Sequence, residues 1–155
     1  MKKQAVKVAY FNDNDEALLI RRTNTAPRRA GLFDLPGGLK EVQDEHNAAT
    51  FGWQLGTPLH FAGTRELLEE TGKRLREPEL RHHRSRIIDV GGHIGEILVS
   101  LFVAKGPEFE PVFTTVHDEV SGRYILEHDQ AIWVPRKQLV VCPDLEVFRS
   151  ILEGL

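Results

Sequence analysis

Apolar residues dominate positions 5–11, interrupted by Lys7, and the run stops at Asn12-Asp13-Asn14-Asp15, a turn-forming series. An extended pattern resumes over 16–22, so these two segments are expected to pair as a hairpin. Positions 23–31 are polar, carry Pro27 and read as a loop. Residues 32–35 read as a short strand delivered into a sharp turn at Pro36-Gly37-Gly38. Thr57-Pro58 is a helix start, with a hydroxyl at the cap and proline at the first helical position. That helix should run through Glu70 and stop at Gly72. Strands are expected over 80–90 and 94–104 around Gly91-Gly92, and a shorter one over 131–134. Pro143-Asp144 opens a last helix in which Leu145, Phe148, Ile151 and Leu152 recur at helical spacing. Helices and strands therefore interleave, the pattern of an α/β (α+β) domain.

Composition narrows the class. The chain has 155 residues, 41% of them apolar and 28% charged, which suits one globular domain over 1–155. The net charge of -3 lacks the basic excess of a non-specific nucleic-acid binder, so no nucleic-acid partner is expected. A small phosphorylated ligand, needing only a few local cations, stays compatible. The single Cys142 excludes an internal disulfide. No secretory leader or membrane-length apolar run is visible, and the expected location is cytoplasmic.

The chemistry concentrates in Arg65-Glu66-Leu67-Leu68-Glu69-Glu70-Thr71-Gly72. On a helix, Glu66 lies three residues from Glu69 and four from Glu70, so the three carboxylates share one region of surface. Such a run is either a solvated acidic face or a site where Mg²⁺ or Mn²⁺ offsets the repulsion. Arg65 stands four residues before Glu69 and can orient it. Gly63, inside the helix, points to a close neighbour.

These residues resemble the Nudix box: a glycine, five residues, a glutamate, seven residues, then Arg-Glu-aliphatic-any-Glu-Glu-any-Gly-aliphatic. The second half matches at every specified position up to the glycine, and Leu32-Phe33-Asp34-Leu35-Pro36-Gly37-Gly38 is similar to the family's approach to its box. Glu41 and Ala62 also fall where members often carry these residue types. Three departures stand out. Asp44 replaces the first glutamate, Lys73 replaces an aliphatic residue, and the interval to Arg65 is longer by about a dozen residues. Residues 45–56 are thus expected to be an insertion that lengthens the loop into the helix. Its Phe51, Trp53 and Leu55 would form either a satellite core or a lid over substrate.

The resemblance implies an α/β/α sandwich with a mixed central sheet. It also implies Mg²⁺- or Mn²⁺-dependent cleavage of a phosphoanhydride in a nucleoside diphosphate linked to another group. Glu66, Glu69 and Glu70, with a backbone carbonyl of Gly37 or Gly38, would hold the metal. Arg65 would orient the set, and Glu69 or Glu70 can serve as base. In some members the base lies outside the box; Glu96 is then the first candidate, followed by Glu119 and Glu127. Arg28 and Arg29 either reach the substrate phosphates or belong to a solvated loop. The basic run Arg81-His82-His83-Arg84 with Arg86 reads as a charge-protected sheet edge. A nucleotide-sensing module without catalysis is the competing reading, but all three box glutamates are kept. An isomerase on the same fold would need a differently placed cysteine. A homodimer would be compatible with the family pattern.

Overall fold

A computed structural model describes residues 2–26, 28–51 and 54–155. Its centre is β1 (Gln4–Phe11), whose alternation sends side chains to two opposite faces. Val6, Val8 and Tyr10 pack under α2 (Pro58–Thr71) with Ala62, Leu67, Leu80 and Phe102. Ala5, Ala9 and Phe11 face the other way, into a core with Leu19, Leu101, Leu145, Phe148, Ile151 and Leu152. Each face of the sheet is therefore covered, giving an α/β/α sandwich.

The sheet is mixed. β2 (Glu16–Arg22) returns antiparallel to β1, with Phe11 opposite Ala17. The Asn12 side-chain oxygen closes that turn by accepting from the Asn14 and Glu16 amides at 3.0 and 2.9 Å. β3 (Phe33–Asp34) extends the sheet beyond β2. β4 (Gly37–Leu39) pairs antiparallel with the start of β1, where Val6 opposes Gly38. On β1's other side runs β6 (Glu96–Lys105), parallel to it, and then antiparallel β5 (Arg81–Asp89) at the edge. The basic run is thus an edge strand, where Arg84 pairs with Glu153 at 2.9 Å. β7 (Thr115–Asp118) and β8 (Arg123–Leu126) form a separate hairpin, and β9 (His128–Pro135) joins β2.

Several expectations are corrected. Pro36-Gly37-Gly38 is no free turn, because Gly37 and Gly38 already belong to β4. The segment expected to lengthen a loop is mostly helix, α1 (Val42–Phe51). The last helix begins as a 3-10 helix over Pro143–Phe148 and becomes α-helical only at Arg149–Leu152. The β7–β8 hairpin was not anticipated. Pro27 and Trp53 lie outside the described residues.

α2 starts and stops as its sequence dictates. The Thr57 amide donates to His60 Nδ1 at 3.1 Å, and Pro58 opens the first turn. Gly72 closes it at φ 79°, its amide donating to the Leu68 carbonyl at 2.9 Å. Gly63 has no room for a side chain: a Cβ there would meet Leu80 Cδ1 at 2.6 Å and β1's Val6 and Val8 at 3.5 Å. Lys73, at the aliphatic position, lays its ammonium over the Tyr10 and Phe109 rings at 5.8 and 5.4 Å.

Candidate active site

α2 aims its acidic face at β4. A cleft of about 370 Å³ lies there, lined by Gly37, Gly38, Glu66, Glu69, Glu70 and, from the far side, Glu127 and His128. Arg22, Arg28 and the β7 residue His117 complete its wall. A larger cleft of about 620 Å³ at the β5 edge holds Arg81, His82 and His83 but has only Glu79 as an acid, so the chemistry favours the smaller one.

The two glycines are required by contact. A Cβ on Gly37 would strike the Val6 carbonyl, and one on Gly38 would strike the Glu66 carboxylate. With these gaps filled only by backbone, the Gly37 amide donates to Glu70 Oε1 at 2.7 Å. Arg65 organises the other carboxylates. Its Nη1 donates to Glu66 Oε1 at 2.9 Å and to Glu69 Oε2 at 3.3 Å, and its Nη2 donates to the Leu39 carbonyl at 3.1 Å. Behind them Asp44, fully buried, receives Arg65 Nε and Nη2, both at 3.0 Å. Asp44 is therefore a fixed partner of the site helix through the first turn of α1.

Glu66, Glu69 and Glu70 all line this cleft. Among the described residues, one group of metal-ligating side chains has donor atoms within 4.8 Å of one another: Glu70, Glu127 and His128. The electrostatics of this wall favour an added cation. Burial, reinforced by Glu69, pushes the Glu66 carboxyl up to about 7 despite Arg65. Burial and the facing Glu66 push Glu70 well above the usual carboxylate range. Glu69 is raised too, by burial and then by Glu41, with Arg65 opposing. Burial, with Arg22 next, pushes His128 down to about 4, leaving a neutral imidazole. Carboxylate oxygens and a neutral imidazole form a donor set that suits a divalent cation.

No protein-family model matches the sequence, and no curated protein matches it. Solved structures do match. The MutT protein of Methanosarcina mazei Go1 superposes with a TM-score of 0.66 at 20% identity, over 98% of this chain and 91% of that one. A Nudix hydrolase from Alicyclobacillus acidocaldarius gives 0.63 at 15% identity, over 98% and 91%. The Nudix domain of Shewanella oneidensis NrtR, complexed with ADP ribose, gives 0.62 at 17%, over 97% and 84%. The chain has the Nudix fold.

Within the Nudix fold, the expected site residues separate into two sets. Arg65, Glu66, Glu69, Glu70, Gly37, Gly38 and Arg28 gather at the cleft. Glu96 and Arg29 do not line it. Glu96 is exposed and pairs with Lys2 Nζ at 3.3 Å. The Arg29 guanidinium is bound to Asp34 Oδ2 at 2.8 Å and to the Asp144 carbonyl, with its carbon 4.8 Å from the Phe148 ring centre. It lines the neighbouring apolar pocket instead. Glu119 is exposed and outside the cleft, whereas Glu127 belongs to it. Phe51 and Leu55 also stay away from the cleft, beside Phe61 on the outer side of the α1–α2 pair. Sequence reading missed Arg22 and His128. Both sit at strand ends, where a lone cation or imidazole carries no spacing signal. No helix among the described residues is long and apolar enough to cross a membrane.

Proposed function

We propose that this protein is a Nudix-family hydrolase that cleaves the phosphoanhydride bond of a nucleoside diphosphate linked to another group, using Mg²⁺ or Mn²⁺. The observation that carries this reading is the meeting of the α2 carboxylates with Glu127, His128 and two arginines in one cleft. Acidic residues alone would repel a diphosphate. Together with a divalent cation and arginines, they make a binding site for it.

Glu66, Glu69, Glu70, Glu127 and His128 offer the donors for the metal, with Gly37 and Gly38 allowing backbone to approach. When bound, the metal neutralises diphosphate charge and lowers the pKa of water. Arg22 and Arg28, on the cleft's other wall, bind the phosphate oxygens. Glu69 is the proposed base. Its raised carboxyl pKa brings it closer to neutral pH, and Arg65 holds one oxygen while leaving the other free. Beyond Gly38 an adjoining pocket of about 150 Å³, with Leu39, Val90, Ile97, Val99 and Phe148, gives the nucleoside an apolar surface.

The test is a hydrolysis panel with Mg²⁺ and Mn²⁺ over dNTPs, oxidised nucleotides, ADP-ribose, dinucleoside polyphosphates, NADH, coenzyme A and nucleotide sugars. Turnover of one class supports the reading. Tight binding of a member with no turnover of any would replace it with a nucleotide sensor.

A further inference from the structure

His128 is 5% exposed, and since among the described residues no fully buried side-chain nitrogen lacks a partner, an unbonded nitrogen of its ring can only open into the cleft that it lines. Buried imidazoles ordinarily find a partner. This one lines the acidic cleft with Nε2 3.6 Å from Glu70 Oε2. That separation is too long for a hydrogen bond. It falls inside the range that two ligands of one small cation span: with bonds of ~2.1 Å, adjacent ligands lie about 3 Å apart and opposite ones about 4 Å, so a small side-chain adjustment would bring both atoms onto one ion. Glu127 brings a third donor into the same volume. Glu70 is held in place from its other side, since Oε1 accepts the Gly37 amide and leaves Oε2 for the cleft.

We propose that His128 is a nitrogen ligand of a cation position completed by Glu70 and Glu127, and that it makes the site prefer Mn²⁺ over Mg²⁺. This rests on the metal-dependent reading above and concerns which ion the cleft selects. The chemical reason is donor softness. Mg²⁺ demands hard oxygen ligands and dehydrates reluctantly, whereas imidazole suits first-row transition metals. An all-carboxylate site would not discriminate in this way.

The experiment uses the full chain, with Mn²⁺ itself as probe. Affinity is read by electron paramagnetic resonance titration and ligation by electron spin-echo modulation. Wild type should bind Mn²⁺ at least about tenfold more tightly than Mg²⁺ and show nitrogen coupling that changes when histidine is labelled with ¹⁵N. His128→Gln should abolish the coupling and weaken Mn²⁺ by at least about tenfold, with Mg²⁺ affinity little changed. His117→Gln, at the other imidazole lining the cleft, should keep the coupling. Mn²⁺ bound without nitrogen coupling overturns the proposal and leaves the hydrolase reading standing. No Mn²⁺ binding overturns the proposal, and binding of neither Mn²⁺ nor Mg²⁺ overturns both. The wild-type spectrum decides even if His128→Gln does not fold.

Discussion

Arg65 and Asp44 are 21 positions apart and form a two-pronged pair, Nε to Oδ1 and Nη2 to Oδ2, each at 3.0 Å. The pair joins the helix that presents the carboxylates to the helix that precedes it. Asp44→Ala leaves the largely buried guanidinium short of its main partner and the Glu41 amide without its acceptor. The expected cost is about 3 kcal/mol. A denaturant titration that shifted by less than about 1 kcal/mol would show that this pair does not hold α1 to α2.

Stability without divalent ions should depend on pH in an unusual direction. Glu66 titrates at about 7 in the folded chain against 4.5 for the free side chain. Between those values the folded state binds more protons than the unfolded one, so stability falls as pH rises through the window. Glu69 and Glu70 are shifted the same way. His128, held down to about 4, acts the other way across part of this window, but three raised carboxyls outweigh it, so thermal melts of metal-free protein should decline from pH 4.5 toward 7, and millimolar Mg²⁺ should recover most of the loss at pH 7. A melting temperature that climbs across the window, or ignores Mg²⁺, contradicts the arrangement.

Glu69 and Glu70 should fail differently when neutralised. Glu69→Gln removes the proposed base and should lower kcat by about 10²–10⁴-fold while flattening the acid limb of the rate profile. Metal affinity should fall less than in Glu70→Gln, which alters a carboxylate held by both the Gly37 amide and the trio geometry. Steady-state kinetics beside metal titrations separate the two. Full activity of Glu69→Gln would remove Glu69 from the mechanism.

Gly38→Ala tests the fit of strand against carboxylate. The new methyl group meets Glu66, whose side chain must swing away, while β4 itself can remain paired. Activity should drop by about 10²-fold or more, with the melting temperature changed by only a few degrees. Near-normal turnover would mean that Glu66 works from another position.

The legible parts of this molecule were those written in local chemistry. β1, β2 and α2 follow from apolar alternation, an Asn-Asp turn, a Thr-Pro start and a glycine stop, each acting within a few residues. The carboxylates of α2 were legible for the same reason. What escaped depends on distant pairing. Gly37 and Gly38 look like a turn until β1 is available to bond with them. α1 has little apolar periodicity, with Asp44 its buried residue, so its helicity is stabilised by a charge contact to Arg65. His128 and Arg22 enter the cleft because β9 pairs with β2, and His128 is registered opposite Arg22 itself. Glu96 showed the converse: an acid inside an apolar run that β6 turns toward Lys2 at the surface.

The two walls of the cleft are anchored very differently. One is locked into the main sheet by β4 and by the Gly37–Glu70 bond. Part of the other comes from the β7–β8 hairpin, a two-stranded sheet of its own with Val120 97% and Tyr124 73% exposed. The site is thus a vice with one fixed jaw and one free jaw. Under the proposed function, substrate entry and product escape should be set by the free jaw, and amides of 115–126 should exchange with solvent well before those of 37–39. Saturating nucleotide should slow exchange in the hairpin first, so the tempo of turnover would be tuned there without touching a single carboxylate.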